Sequence, residues 1–345
     1  MHEFENCTCP LENVYCNKLN RYMTPHLVDF CKNHPNFRSR MYREPKPKQR
    51  YEEHVSEHPF KKTCDISNDC IAFLVPKIKD LNISGIVGIP RSGMLVAPII
   101  ATLLNKPLYT ISNGEIQVCS YSSSFGGKRM DDYKESCGKL LFLDDTAYTG
   151  KEMRNIRAKY PNNIYSAMYL HPSAERYVDI FGMYLNTPHY LEWHFFNSNF
   201  PQSTIFDLDG IFCPDVPIEK AENEILYKEY ITTVESIAHR IPRLHPPCLS
   251  IATARLEKYR GITEDWLKRN DIKYNSLHMY QGTKDDRDSN FYRNVSEYKT
   301  SIFLESDAKI FVESDDRLAK RIAKKSNGKK VICPDLGKIY YVKKI

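Results

Sequence analysis

Leu140-Leu141-Phe142-Leu143-Asp144-Asp145-Thr146-Ala147-Tyr148-Thr149-Gly150 is an apolar run that ends in two adjacent acids and passes into a turn of small and hydroxyl residues. Uninterrupted large apolar residues bounded by turn chemistry read as a strand buried on both faces. Residues 151–159 beyond it read as a helix. A strand, a turn and a helix in that order place a ligand at the carboxyl end of the strand, where the first N–H groups of the helix attract an anion. Two carboxylates repel that anion. They suit the vicinal hydroxyls of a ribose, or a magnesium ion on them. Acids beside an anion cradle together describe a site for a ribose 5-phosphate.

The same alternation extends outward. Residues 71–79 read as a helix, 85–89 as a buried strand, 93–104 as an apolar helix, 108–111 as a strand and 164–170 as another. A second series begins near residue 202, with strands expected at 203–206, 248–252, 275–280, 308–312 and 330–333. Helices are expected between them at 218–238, 255–269 and 316–324. Strands alternating with helices imply parallel sheets. The fold class expected is therefore α/β, with two Rossmann-like parallel-sheet domains over 64–195 and 202–345. A Cys-rich segment, 1–37, and a basic linker, 38–63, precede them.

The second series carries its own acids. Ser203-Thr204-Ile205-Phe206-Asp207-Leu208-Asp209-Gly210 is again a strand that ends in carboxylates, now at i and i+2. That spacing leaves one free as a nucleophile while the other donates and accepts a proton. Both need a magnesium ion before a phosphate can approach.

The Asp144–Gly150 segment resembles the ribosyl-donor motif of the type I phosphoribosyltransferases, and Ile86-Val87-Gly88-Ile89-Pro90-Arg91-Ser92-Gly93 resembles the pyrophosphate loop of that family. The resemblance covers residues 64 to 190. It implies that Asp144 and Asp145 hold the ribose hydroxyls and metal, and that Thr146, Ala147, Tyr148, Thr149 and Gly150 bind the 5-phosphate. It further implies that Arg91, Ser92 and Gly93 bind pyrophosphate. A closing loop is expected at 120–138, where Lys128 and Arg129 would neutralise the leaving pyrophosphate. The partners implied are phosphoribosyl pyrophosphate and a nitrogen base, whose identity is not legible.

Residues 203 to 345 resemble the haloacid-dehalogenase-like (HAD) phosphatases. The resemblance implies that Asp207 attacks phosphorus, Asp209 is the general acid and base, Thr253 binds the phosphoryl group and Lys299 stabilises the charge. It also implies that magnesium is held by Asp207, Asp209, Glu313 and Asp315, with Asp316 one residue away. The substrate expected is a phosphate monoester. Too few residues separate these elements for a large cap domain. A bifunctional enzyme of nucleotide metabolism is implied, in which the phosphatase converts the nucleotide product to a nucleoside, repairs side products or acts on an unrelated phosphate. The alternative is a regulatory, nucleic-acid-associated protein that binds the ribosyl donor and keeps only the phosphatase active.

The remainder of the sequence sets bounds. Of 345 residues, 41% are hydrophobic and 27% charged, which excludes wholesale disorder. The longest apolar run, Met94 to Leu104, is about half of a membrane span. No secretory signal is read at the N-terminus, so a cytoplasmic protein with no membrane partner is expected. The net charge of +6 is concentrated in Arg38, Arg40, Arg43, Lys46, Lys48 and Arg50, which read as a solvated linker rather than a nucleic-acid surface. Cys7, Cys9, Cys16 and Cys31 suit zinc or an iron–sulfur cluster, since so small a segment cannot build its own core. The other seven of the eleven cysteines are expected as free thiols. A homodimer is left open.

Overall fold

The computed structural model describes residues 15–16, 21–22, 55–120, 138–242 and 247–343. Two compact units are defined, Met1–Glu52 and Glu53–Ile345. In the first, Tyr15–Cys16 and Arg21–Tyr22 pair as a short antiparallel ladder. Cys7, Cys9 and Cys31, the side chain of Cys16, the basic stretch 38–50, and Lys128 with Arg129 lie outside the described residues.

The second unit contains two sheets. In the first sheet, β2 (Ile83–Gly88), β3 (Leu108–Ser112), β4 (Glu115–Ser120), β5 (Lys139–Ala147), β6 (Ile164–Leu170) and β7 (Ile180–Tyr184) stand in the order β4-β3-β2-β5-β6-β7. All are parallel except β4, which folds back on β3. Side chains alternate across this sheet as the pleat requires. Leu141 and Leu143 pack with Ile83, Val96 and Ile100 on one face, and Phe142 packs with Val87, Met153 and Tyr165 on the other. Helices α1 (Gly93–Leu103) and α2 (Lys151–Lys159) follow β2 and β5. The chain leaves β2 toward β3 and later returns to β5 on the other side of β2. The crevice between β2 and β5 is therefore the point where strand order reverses, which is where open α/β sheets bind ligands.

The second sheet has eight strands. Its parallel centre is β9 (Thr204–Phe206), β10 (Cys248–Leu256), β11 (Tyr274–Tyr280), β12 (Ile310–Val312) and β13 (Lys330–Cys333). Beyond β13 come the antiparallel β14 (Lys338–Val342), then β1 (Val55–Lys61) and the two-residue β8 (Tyr190–Leu191). Phe206, Val312 and Ile332 face a core with Phe195, Phe196 and Trp266, while Ile205, Phe311 and Val331 face one with Phe303 and Ala323. Both sheets are largely parallel, as the sequence pattern requires.

Several expectations change in detail. Residues 55–61 are not linker but β1, because Phe60 buries its ring against Phe195. The long helix expected at 218–238 is two, α4 (Ile218–Ala221) and α5 (Glu224–Thr233). Asn223 is extended, and its side chain accepts the N–H groups of Ile225 and Leu226 to start a new helix. The next helix, α6 (Arg260–Arg269), begins late because β10 runs on to Leu256. After α7 (Lys284–Asp288), the helix α8 (Phe291–Glu305) was not anticipated. Its Val295, Lys299 and Phe303, four residues apart, form one buried stripe. Helix α9 (Asp316–Lys325) follows β12 as expected. No helix among the described residues is long and apolar enough to cross a membrane.

The strand assignment of 55–61 has a direct test. Phe60→Ala should lose about 3–5 kcal/mol in urea unfolding. A side chain on a linker would change stability by less than about 0.5 kcal/mol.

Candidate functional site

The first acid pair lies inside β5 rather than beyond it, since Asp144 pairs with Ala167 and Thr146 with Tyr169 of β6. Adjacent residues of a strand leave toward opposite faces, but the two carboxyl groups remain hydrogen-bonded to each other, side chain to side chain. Asp144 looks toward the start of α1. A Cβ on Gly93 would stand 2.5 Å from the Leu143 carbonyl and 3.2 Å from Asp144 Oδ1, so only glycine lets the 90–93 loop approach the acid strand this closely. The Pro90–Arg91 peptide is cis, and Arg91 is exposed at the mouth of the crevice.

Asp145 looks the other way, toward the turn α3 (Glu192–Phe195). Its Oδ2 accepts the Trp193 indole N–H at 2.6 Å and His194 Nε2 at 3.0 Å. Its Oδ1 is buried and has no partner among the described residues. The two acids are held differently. Burial, then the charge of Asp145, pushes the Asp144 carboxyl well up. Burial also works to raise Asp145, but the bond and charge of His194, then the bonds from Asp144 and Trp193, outweigh it and bring that carboxyl below its ordinary value.

The turn after β5 closes on Gly150, whose φ of +69° caps α2. A side chain there would strike the Tyr177 ring. Thr149 Oγ1 accepts the Lys151 N–H at 3.4 Å. The Tyr148 ring packs on His171, 4.6 Å between centroids, and lies near His189. Thr146, Tyr148, His189 and His194 line a cavity of 710 Å³ beside the acid strand. The histidines and Trp193 had no diagnostic spacing, because residues 171 and 189–194 reach Tyr148 and Asp145 only through the tertiary fold.

The second acid site gathers four elements. Asp207 follows β9, and its Oδ2 lies 2.7 Å from Lys299 Nζ. The same ammonium lies 2.6 Å from Glu313 Oε2, after β12. Lys299 is 1% exposed. Burial works against its charge, but Asp207 and Glu313 outweigh it and hold Lys299 protonated. Burial, then the charge of Glu313, pushes the Asp207 carboxyl up. Two buried carboxyl groups thus share one cation.

Asp209 is held separately. Arg255 Nε lies 2.9 Å from Asp209 Oδ2, and Nη2 lies 2.6 Å from Oδ1. Gly210, at φ +75°, makes the tight turn that follows, close against Ser314. Asp315 caps α9 by accepting the Leu318 N–H at 2.9 Å. Asp316 is drawn off to Lys320 and Tyr340. Thr253 is fully buried within β10, and its Oγ1 accepts the Arg255 N–H at 3.2 Å. The hydroxyl expected at a strand end is therefore inside the strand. Asp207, Asp209, Arg255, Lys299, Glu313 and Asp315 are among the residues lining a cavity of 510 Å³. Arg255 was missed in the sequence because nothing marks an arginine two residues past a strand threonine as buried.

No three or more His, Cys, Asp or Glu side chains converge on one point among the described residues. The oxygen donors of Asp207, Glu313 and Asp315 are of the hard kind that magnesium takes. One or two carboxylates suffice when substrate oxygens and water complete the shell. Asp207 and Glu313 would hold it with Asp315 at the rim. The Asp209 side chain is taken up by Arg255, which departs from the four-acid set expected.

No family model matches the chain, and no curated protein does. Among solved structures, the purine phosphoribosyltransferase from Pyrococcus horikoshii Ot3 is similar over 38% of this chain and 90% of its own, at 14% identity and a TM-score of 0.28. The xanthine-guanine-hypoxanthine phosphoribosyltransferase of Helicobacter pylori is similar over 41% and 93%, at 14% identity and 0.27. The orotate phosphoribosyltransferase from Aeropyrum pernix is similar over 35% and 69%, at 14% identity and 0.24.

Burial of Asp144 makes a pH prediction. An acid whose carboxyl is raised in the folded state costs stability once it ionises. The cost is absent below the unfolded value of about 3.9 and complete above the folded one. Asp144→Asn should therefore be more stable than wild type at neutral pH. The gain should shrink to nothing as pH falls toward about 4. Thermal unfolding of both proteins across that range checks it, and a gain independent of pH contradicts it.

Proposed function

We propose that the chain is a two-site enzyme that transfers a phosphoribosyl group from phosphoribosyl pyrophosphate to a nitrogen base and hydrolyses a phosphate monoester. The transferase reading is carried by one juxtaposition: the paired acids Asp144 and Asp145 stand in β5 at the crevice beside β2, directly ahead of the Gly150 turn that opens α2.

In this reading the backbone of 146–150 takes the 5-phosphate, Asp144 and Asp145 take the hydroxyls, and the 90–93 loop faces the pyrophosphate. The base nitrogen attacks C1, a C–N bond forms, and the C–O bond to pyrophosphate breaks. The 710 Å³ cavity lined by Tyr148 and His189 has room for a heterocyclic ring.

The hydrolase reading is carried by Lys299, which bridges Asp207 and Glu313 from a helix otherwise buried by Val295 and Phe303. In this reading the Asp207 carboxylate attacks phosphorus, and the ester oxygen leaves with a proton from Asp209. Water, deprotonated by Asp209, then releases phosphate from the aspartyl-phosphate. Lys299 offsets charge on Asp207 throughout. Magnesium, when bound, would neutralise the repulsion between the carboxylates and the phosphate oxygens. If the two activities are in series, the nucleotide made at the first site is dephosphorylated at the second to a nucleoside.

Pyrophosphate and phosphate release from phosphoribosyl pyrophosphate, magnesium and a panel of bases tests both readings in one assay. Pyrophosphate release that needs a base should vanish when Asp144→Asn and Asp145→Asn are combined. Phosphate release should fall by on the order of 10⁴-fold or more in Asp207→Asn. Nucleotide should then accumulate in place of nucleoside. Base-independent release, or nucleoside still formed by Asp207→Asn, contradicts the scheme.

A further inference from the structure

Arg255 is nearly completely buried, 1% exposed, yet it lines the 510 Å³ cavity. A guanidinium carries five N–H donors in a planar fork. Nε bonds both oxygens of Asp209, at 2.9 and 3.2 Å. Nη2 bonds Asp209 Oδ1 at 2.6 Å and reaches Cys213 Sγ at 3.5 Å. Nη1 is buried and has no partner among the described residues. Arg240, the other buried arginine nearby, uses Nε, Nη1 and Nη2 on Glu192, the Gly210 carbonyl and Asp335. Arg157 Nε is also buried without a partner among the described residues, but Arg157 lines neither cavity described above, whereas Arg255 does. A buried donor left unmade destabilises the free protein, so its retention points to an acceptor that arrives with a ligand.

We propose that Arg255 is a positioning and substrate-binding residue of the second site, holding Asp209 with one edge of its fork and presenting Nη1 to an oxygen of the phosphate monoester. This rests on the hydrolase reading above. Its consequence is a division of labour. Asp209 must deliver a proton to the departing oxygen, so its placement matters most for esters of ordinary alcohols, whose alkoxide is a poor leaving group. An ester whose phenolate leaves unaided has little need of Asp209. Lysine in place of Arg255 keeps the charge but has neither the planar fork nor a second edge.

The test compares ribose 5-phosphate with p-nitrophenyl phosphate, using magnesium-loaded full chain. Arg255→Lys should lower kcat for ribose 5-phosphate on the order of 10- to 100-fold. It should lower kcat for p-nitrophenyl phosphate clearly less than for ribose 5-phosphate, while the KM of both esters and the inhibition constant for inorganic phosphate should rise about 10-fold. Equal losses of kcat on the two esters, or an unchanged phosphate constant, would overturn the proposal. A measurement on wild type guards against a variant that does not fold. In arginine-labelled protein, inorganic phosphate with magnesium should shift the Nη1 resonance of Arg255, and an unmoved resonance overturns the assignment. Wild-type hydrolysis that is lost in Asp207→Asn keeps the hydrolase reading whatever Arg255 does. Absence of any hydrolysis by wild type removes that reading, while the resonance still decides whether Arg255 meets the anion.

Discussion

The Glu192 carboxylate is 3% exposed and lies between the Thr63 N–H, 2.9 Å from Oε2, and the Arg240 guanidinium, 3.3 Å from Oε1. A carboxylate so buried persists only when it is paired and hydrogen-bonded. Arg240 is buried with it and extends to the Gly210 carbonyl, next to Asp209, and to Asp335 on the rim of the second cavity. The next two residues of the same turn, Trp193 and His194, reach Asp145 of the first acid site. The following two, Phe195 and Phe196, are fixed in the core of the second sheet. Five consecutive side chains therefore serve both acid sites and one core. The connection between the sheets is a packed support.

That support explains what the sequence could and could not show. The central strands and the acid-bearing segments were legible because apolar runs ending in Asp144-Asp145 and Asp207-Leu208-Asp209 are local signals, whereas β4, β7 and β14, toward the sheet margins, were not. The helices that follow β2 and β5 in the first sheet were legible too. Lys299 was legible only through a family pattern, because its helix, with polar residues between Val295 and Phe303, has no clean apolar stripe until the lysine itself is counted as buried. Trp193, His194, Arg240 and Arg255 carry no local signal, since each acts on a residue tens of positions away. The strand at 55–61 was hidden for a related reason. Its sequence, Val-Ser-Glu-His-Pro-Phe-Lys, has only one fully buried position, and its partner β14 lies near the other end of the chain.

Seven buried side-chain polar atoms lack a partner among the described residues, so an orphan carries meaning only where a cavity stands beside its residue. Arg255 meets that condition at the second site, and an orphan guanidinium nitrogen matches an anionic ligand. At the first site the buried Asp145 carboxylate has the raised carboxyl of Asp144 as its neighbour.

The spacing of the acids accounts for their separate fates. Asp144 and Asp145 remain in β5 and meet side chain to side chain, with Gly93 beside the first and Trp193 donating to the second. Asp207 and Asp209 alternate, which would point both to one face had the strand continued. It does not. β9 ends at Phe206, and Gly210 at positive φ turns the chain against Ser314. The two carboxylates are then claimed by different cations, Lys299 and Arg255. Separate counter-ions hold the second pair in one site, whereas in the first pair the bonds from His194 and Trp193 keep Asp145 ionised beside Asp144.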